Sequence, residues 1–272
     1  MEWGSFKRFL KDRCSERVIA DRVRYAQKFG YCLLNRDFSE LNGFAESKRR
    51  HALEGLSALA KFLGIYEDFR ELVKAYGLKW ASSNAEDLLI SRMNKVYENG
   101  NVLKWVSQVK ARFPELHTFI DFMLASGLRF EETINSYNLI INLSKEGKLS
   151  SYYDREKQIL EHYRFKSMFI RRTKKAFISF IPEALIERIT QQEKFTRAMI
   201  DNRLKRSGFK SRFSDVREYY ATYMTRFLNP AEIDFLQGRV SASVFMRNYF
   251  NPALIGDLKE RVFKGIGCLM EG

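Results

Sequence analysis

The sequence has little cysteine, proline or histidine and no long apolar run. Its 272 residues include three cysteines, Cys14, Cys32 and Cys268, which are widely spaced and form no CxxC pair. This usage fits a reduced intracellular compartment and argues against a structural zinc site. No stretch of about 18 apolar residues is present, which argues against a transmembrane helix. Because only four prolines and no low-complexity tract occur, we expect a globular protein.

Motifs for the common cofactors are missing as well. The chain contains no Walker loop, no HExxH and no EF-hand loop, and no acidic pair that suggests a two-metal nuclease. The N-terminal stretch "MEWGSFKRFLKDRCSER" carries charges where a signal peptide needs an apolar segment. We therefore expect chemistry that needs neither a metal nor a nucleotide cofactor, in a protein that stays inside the cell.

Positive charge is abundant. Lysine and arginine total 47 against 33 acidic residues, which gives a formal net charge of +14. An excess of this size favours a polyanionic partner, and nucleic acid is the commonest one. Ribosomal, membrane-surface and thermophile proteins are basic too, so the charge alone does not select a function.

The first 78 residues are predicted to be helical. Apolar residues recur at helical spacing in "SERVIADRVRYAQKFGYCLL", where Ser15 is a candidate N-cap, and in "ESKRRHALEGLSALAKFLGI". A third helix is predicted over 66–75, with Gly77 as its stop. The small, polar stretch 77–87 is interpreted as a linker. We therefore predict two domains, at 1–78 and 79–272.

The remaining chain is predicted to be mainly helical with one small β element. The segment 86–127 has a helical pattern, and "LHTFIDFMLASGL" within it indicates a buried helix. Two aromatic and β-branched runs flank the polar "RRTKK" in "HYRFKSMFIRRTKKAFISFI", residues 162–181, which predicts a hairpin. From Glu183 onward the pattern is helical again. The predicted fold class is mainly α with a small β-hairpin or sheet, an α+β protein.

Four short stretches carry the residues that point to chemistry. They are "ASGLRFEE" with Arg129 and Glu132, "RRTKK" with Lys174 and Lys175, "SDVREYYATYM" with Ser214 and Arg217, and "LQGRVSASVFMRNY" with Arg239 and Tyr249. Each has an ordinary explanation when taken alone. These are a surface ion pair, an exposed hairpin tip, a helix capped by Ser214 and a core aromatic.

Together these residue types suit the cleavage of a phosphodiester. Converging arginines match phosphate oxygens with two parallel hydrogen bonds and neutralise the charge of a pentacoordinate transition state. A lysine can donate a proton to a departing alkoxide, and a tyrosine can be the nucleophile. The pKa of a free phenol is about 10, and neighbouring arginines lower it.

The four stretches, in this order, resemble the boxes of the tyrosine recombinase (phage-type integrase) family. "SGLRFEE" is similar to the first arginine box, "RRTKKAFISFIP" to the lysine hairpin, "SDVREYYAT" to the second box, and "LQGRVSASVFMRNY" to the tyrosine segment. The resemblance implies that Arg129, Arg217 and Arg239 hold the scissile phosphate. It further implies Lys174 as the acid and Tyr249 as the nucleophile of a 3′-phosphotyrosyl intermediate. Glu132 would orient an arginine.

Two positions depart from the family pattern. Ser214 stands where the second box usually has histidine, and Arg239 stands where a histidine or tryptophan is usual. A serine cannot act as an imidazole base, so the group that deprotonates Tyr249 is left unassigned. These departures resemble integrases of archaeal viruses and plasmids, and that branch is favoured.

The resemblance also implies partners and surroundings. Residues 1–78 would be a core-binding domain and 79–272 the catalytic domain. The partner would be double-stranded DNA at attachment sites. The protein would bind it as a tetramer and would be a monomer or dimer in the absence of DNA. No membrane would be involved. The protein would work in the host cytoplasm near the nucleoid, without a cofactor. Candidate DNA-phosphate contacts are Lys48, Arg49, Arg50 and Lys175.

Two alternative functions and the packing of the C-terminal helix stay open at this point. A type IB topoisomerase uses the same chemistry to relax DNA, and a basic protein with degenerate boxes would bind DNA without cutting it. The C-terminal stretch, with Leu254, Leu258, Val262 and Ile266 on one helical face, would pack either on a neighbouring subunit or on its own domain.

Overall fold

The computed structural model describes residues 2–11, 13–14, 16–79, 86, 89–94, 101–171, 175–239 and 251–271. They form two compact units, residues 1–94 and 95–272. Most of the predicted linker lies outside the described residues, so the domain boundary at residue 78 stays a prediction. Among the described helices, none is long and apolar enough to span a bilayer.

The regular secondary structure described in the first unit is all helical. Its helices are α1 (Trp3–Lys11), α2 (Glu16–Leu34), α3 (Ser39–Asn42), α4 (Glu46–Leu63) and α5 (Tyr66–Ala75), and residues 89–94 are also helical. The helices predicted from periodicity are present, including the one over 66–75. Helix α2 packs along α4, and their facing apolar residues, among them Ala26, Phe29, Leu53 and Leu56, are fully or almost fully buried. Ser15, the candidate cap of α2, lies outside the described residues.

The second unit is mainly helical. Its helices are α6 (Val102–Arg112), α7 (His117–Ser126), α8 (Phe130–Lys145), α9 (Lys166–Phe169), α10 (Glu183–Thr190), α11 (Arg197–Arg206), α12 (Phe213–Met224), α13 (Pro230–Leu236) and α14 (Leu258–Glu271). All residues of α7 from Thr118 to Ser126 are buried, as the apolar pattern predicted. This helix therefore forms the centre of the unit, and α8, α10, α12 and α14 pack against it.

A small antiparallel sheet completes the second unit and confirms the predicted α+β class. Its strands are β1 (Tyr153–Asp154), β2 (Ile159–Leu160) and β3 (Ser179–Phe180), in the order β1–β2–β3. Tyr153 pairs with Leu160, and Leu160 pairs with Ser179.

The predicted hairpin over 162–181 is partly wrong. Its first half is helical, a 3-10 turn at His162–Arg164 followed by α9, because the aromatic residues there pack into the core on one side. Among the described residues of the "RRTKK" region there is one antiparallel bridge, Ile170 with Lys175, and β1 and β2 lie upstream of the predicted region.

A chain of buried polar groups joins α8 to the sheet. Ser136 Oγ and Tyr152 Oη are 2.8 Å apart, Tyr152 Oη lies 2.7 Å from His162 Nδ1, and His162 Nε2 lies 2.8 Å from Ser179 Oγ. His162 is fully buried, and burial lowers the pKa of its imidazole from 6.5 to about 3. The histidine is therefore neutral at physiological pH. Each of its two ring nitrogens has a hydroxyl group as its hydrogen-bond partner.

This histidine predicts an acid-sensitive fold. Because the unfolded chain binds a proton at pH values below about 6.5 and the folded chain does not, stability is complete above that pH. It falls by up to roughly 1.4 kcal/mol per pH unit as the pH drops towards 3. Urea unfolding between pH 7 and pH 4 should show a shallower loss in His162→Gln than in wild type. His117→Gln, which removes a half-exposed imidazole, is the control and should follow wild type. An identical pH dependence in wild type and His162→Gln would refute the assignment.

The C-terminal helix packs on its own unit. Leu258, Val262, Ile266 and Leu269 of α14 are buried against α7, α12 and β3. Leu254 does not share this face as the sequence predicted, because it belongs to a separate 3-10 turn, Pro252–Leu254, and is 81% exposed. Arg261 locks α14 in place through both oxygens of Glu232, at 2.6 and 2.8 Å, and lowers the pKa of that carboxyl.

Candidate active site

Arg129 lies at the start of α8, directly after the buried helix α7. The Glu132 carboxylate accepts hydrogen bonds from the Arg129 backbone N–H at 3.2 Å and from Arg129 Nη1 at 3.0 and 3.2 Å. Glu132 is fully buried, so this contact holds the guanidinium from the protein interior while the arginine stays partly exposed. The orienting role predicted for Glu132 stays a prediction, and this contact is the one it would require.

Arg217 is buried in the second turn of α12. Its Nη1 donates to the Gly127 carbonyl at 2.7 Å, and its Nη2 donates to the Gln237 carbonyl at 2.6 Å. The Gln237 side chain donates in turn to the Arg217 carbonyl at 3.0 Å. These bonds fasten three separate segments together: the end of α7, the body of α12 and the end of α13.

The structure explains why glycine occupies position 127 in the "SGLR" stretch of the first box. Its φ of +59° is left-handed, and a Cβ there would lie 2.4 Å from the ring of Tyr220 on α12. A side chain at this position would therefore separate α7 from α12. The close packing brings the Gly127 carbonyl within reach of Arg217 and turns the chain towards Arg129.

Arg239 follows α13 and is exposed. Its backbone N–H donates to the Asp234 carbonyl at 2.7 Å, and its guanidinium lies 4.0 Å from the Asp234 carboxylate. The preceding Gly238 has a φ of +62°, and a Cβ there would lie 1.1 Å from the Lys175 carbonyl oxygen. Lys175 is thus in direct backbone contact with the segment that presents Arg239.

The three arginines influence one another electrostatically. Burial, followed by repulsion from Arg129 and Arg239, lowers the pKa of Arg217 to about 9, and Glu132 opposes the shift only in part. The site therefore holds an excess of positive charge around a guanidinium that has little access to water. A bound anion with two or three oxygens would relieve this excess.

The structure adds a fourth arginine that the sequence analysis did not single out. Arg171, at the start of the "RRTKK" turn, donates from Nη2 to Glu132 Oε1 at 3.2 Å. Glu132 thus pairs with Arg129 and Arg171 together. Gln237 was also missed, and its side-chain Oε1 is buried without a hydrogen-bond partner among the described residues. The sequence signal for both residues is their position: Arg171 lies inside the predicted lysine box, and Gln237 lies two residues before Arg239 in the tyrosine segment.

Two predicted site residues lie outside the described residues, namely Lys174 and Tyr249. Their roles stay predictions. Ile170 and Lys175, which flank the undescribed residues, pair in an antiparallel bridge. Lys175 itself is partly buried, and its carbonyl packs on Gly238.

The expected capping role of Ser214 is wrong. Helix α12 begins at Phe213, after Arg212, so Ser214 is already inside the first turn. Its exposed hydroxyl donates to Asp215 Oδ1 at 3.2 Å, and Arg212 Nε donates to Asp215 Oδ2 at 2.8 Å. The helix starts two residues earlier than a Ser214 cap implies because Phe213 is needed in the core, where it stacks on Phe130 with 4.0 Å between ring centroids.

The candidate DNA contacts of the first unit lie in the first two turns of α4. Lys48 and Arg50 are exposed, and Arg49 is partly buried. Lys48 Nζ sits 3.5 Å from the centroid of the Phe44 ring, and Arg50 Nε is 3.6 Å from Glu54. Exposed cations held by such weak contacts can turn towards a phosphate at little cost.

The family comparison agrees with this geometry. The chain belongs to the archaeal phage integrase family, whose model matches residues 94–261, more than half of the chain. Integration and recombination of DNA are therefore its general function, and the resemblance to archaeal viral integrases is confirmed. The matched region includes Arg129, Arg217, Arg239 and the turn between them. No curated protein and no solved structure matches the chain.

Proposed function

We propose that the protein is a site-specific tyrosine recombinase that cuts and rejoins double-stranded DNA through a 3′-phosphotyrosyl intermediate. It would integrate or excise a mobile element at attachment sites. Residues 1–78 would serve as the core-binding domain and 79–272 as the catalytic domain, and a tetramer would assemble on paired sites. The family membership supports recombination in general, and the residue-level mechanism is our proposal.

One observation carries the proposal. The buried Arg217 fork, held by the Gly127 and Gln237 carbonyls, lies near Arg129 and Arg239 of two other boxes, and burial first, then repulsion from these two arginines, lowers its pKa to about 9. Such mutual repulsion is unfavourable in the free protein. A scissile phosphodiester supplies the missing negative charge, and a pentacoordinate transition state supplies more.

The mechanism then follows from the residue types. The Tyr249 phenol loses its proton to a base that the boxes leave unassigned, and its oxygen attacks the phosphorus. The bond from phosphorus to the 5′-oxygen breaks, and Lys174 gives a proton to the leaving 5′-oxygen. The 5′-hydroxyl of a partner strand attacks the phosphotyrosine and returns the phenol. Bond energy is conserved in the protein–DNA link, so the sequence of steps needs no external energy source.

Covalent capture tests the proposal. Wild-type protein is incubated with a pool of duplexes of random sequence, and protein-linked DNA is recovered under denaturing conditions and sequenced. We expect a protein–DNA species whose sequences share one motif, and its absence in Tyr249→Phe. Failure of wild type to form any covalent species while it binds DNA would refute the enzymatic proposal. A species that persists in Tyr249→Phe would refute Tyr249 as the nucleophile.

The captured DNA also separates recombination from simple relaxation. Two plasmid-borne copies of the recovered motif should undergo exchange between sites when wild-type protein is added. Relaxation of supercoils without exchange would instead favour the type IB topoisomerase alternative.

A further inference from the structure

Gln237 lies directly after α13 and is fully buried. Its side-chain Nε2 donates to the Arg217 carbonyl at 3.0 Å and, over a longer distance of 3.4 Å, to the Gly127 carbonyl. Its own backbone carbonyl accepts a hydrogen bond from Arg217 Nη2 at 2.6 Å. Gln237 and Arg217 are therefore joined twice, because the side chain of each one bonds to the main chain of the other.

The contacts of the Gln237 carboxamide fix its orientation. Both acceptors of its nitrogen are carbonyl oxygens, and a reversed amide would place its own oxygen against them. The observed orientation leaves Gln237 Oε1 buried without a hydrogen-bond partner among the described residues. A buried oxygen without a partner lowers stability. Within the described part of the unit, the carboxamide is therefore less favourable for stability than an apolar side chain of similar size.

Removing the carboxamide would leave neither acceptor without a donor. The Gly127 carbonyl keeps its hydrogen bond from Arg217 Nη1 at 2.7 Å. The Arg217 carbonyl lies inside α12, where the helical hydrogen-bond pattern supplies a donor. What would be lost is the link from the end of α13 to the main chain of α12 and to the end of α7. The alignment of these segments needs the carboxamide more than the stability of the fold does.

We infer that Gln237 is a positioning residue of the active site. Its carboxamide fixes the main chain at Gly127 and Arg217, so that the Arg217 guanidinium faces the scissile phosphate. Two of the five N–H groups of this guanidinium go to carbonyls, which leaves three for an anion. The inference rests on the proposed function, which supplies the phosphate. Without the carboxamide, Arg217 shifts together with its carbonyl partners and holds the phosphate in a less productive geometry.

The test replaces Gln237 by methionine, which nearly keeps the length of the side chain and removes its donor and its acceptor. Three quantities are measured with the DNA motif that wild type captures. They are the rate of covalent complex formation, the affinity for the duplex and the midpoint of urea unfolding. The matched control is Gln191→Met, which makes the same replacement at an exposed position of the same unit.

We expect Gln237→Met to form the covalent complex about 10²-fold more slowly than wild type, because a small misplacement of an aligned group has an effect of this size. The affinity should stay within a few-fold, since it is spread over many phosphate contacts, and the unfolding midpoint should not fall. Gln191→Met should match wild type in all three quantities. A wild-type rate in Gln237→Met, or a slower rate together with a lower unfolding midpoint, would overturn the inference.

A double variant shows whether the effect passes through Arg217. Adding Gln237→Met to Arg217→Lys should slow the reaction no further than Arg217→Lys alone, because the fork that Gln237 aligns is already lost. Multiplied effects, which a general loss of structure would give, would overturn the assigned route. Failure of the proposed function shows as a wild type that binds DNA and forms no covalent complex. Failure of this inference alone shows as an active wild type with one of the contrary results for Gln237→Met.

Discussion

Replacing Arg217 by lysine is expected to slow covalent complex formation on the order of 10³-fold, although the positive charge is kept. The arginine fork donates to the Gly127 and Gln237 carbonyls at the same time. A lysine reaches at most one of these partners while facing the phosphate, and it loses its proton more readily in a buried site. Loss of one well-placed donor to a developing charge typically costs 10²–10³ in rate, and the lost alignment of three segments adds to this.

The size of the effect is separable from DNA affinity. Binding to duplex DNA is spread over many phosphate contacts, so Arg217→Lys should weaken it only a few-fold. Arg226→Lys is a suitable control, because Arg226 is exposed close to the end of the same helix and lies over the Tyr223 ring. It should retain wild-type cleavage within about twofold. Cleavage by Arg217→Lys at a comparable rate would contradict the central role of the buried fork.

The lowered pKa of Arg217 has a defined sign for stability. The folded protein binds this proton less tightly than the unfolded chain, so the energetic cost of the charge is fully present below about pH 9. It declines as the pH rises above that value. In the proposed function, a bound phosphodiester would offset the same cost at neutral pH.

Among the described glycines of the second unit, Gly238→Ala is expected to be the most destabilising alanine replacement, at about 2–4 kcal/mol. The residue has a φ of +62°, and the new Cβ would lie 1.1 Å from the Lys175 carbonyl oxygen. Left-handed backbone alone costs an alanine roughly 1–2 kcal/mol. The clash adds the displacement of a backbone group, because no side-chain rotation relieves it. Urea unfolding measures the difference in free energy.

Gly147→Ala provides the matched control for the backbone term. Gly147 has a similar φ of +69°, but no atom lies within 4 Å of its would-be Cβ. It should lose only about 1–2 kcal/mol and retain cleavage, whereas Gly238→Ala should also lose cleavage through the shifted turn. Equal stability losses in the two variants would show that the contact between Gly238 and Lys175 is not tight in solution.

Much of the helical fold follows from local pattern. Apolar residues at helical spacing identified α2, α4 and the buried α7 because each helix buries one stripe, or all of its surface. The order of the boxes identified Arg129, Arg217 and Arg239, and the structure brings these three into one electrostatic neighbourhood. Both inferences depend on residues that are close in sequence or on a pattern that repeats along it.

Other features depended on contacts between distant segments. The run at 162–169 has strand-like composition but is helical, because Phe169 and its neighbours fill a core made by α8 and the sheet. Ser214 looked like a cap, but the stacking of Phe213 on Phe130 moved the helix start. Local propensity is weak compared with the burial of an aromatic side chain.

The number of positive charges and the four boxes could be predicted from the sequence alone, because composition and the spacing of residues along the chain do not depend on folding. Tertiary structure was needed to show that Glu132 joins Arg129 to Arg171, and that Gly238 packs on Lys175. These pairs lie 39 and 63 residues apart. No local pattern encodes such pairs, because they exist only when α8, the end of α13 and the residues Arg171 and Lys175 come together in the folded unit.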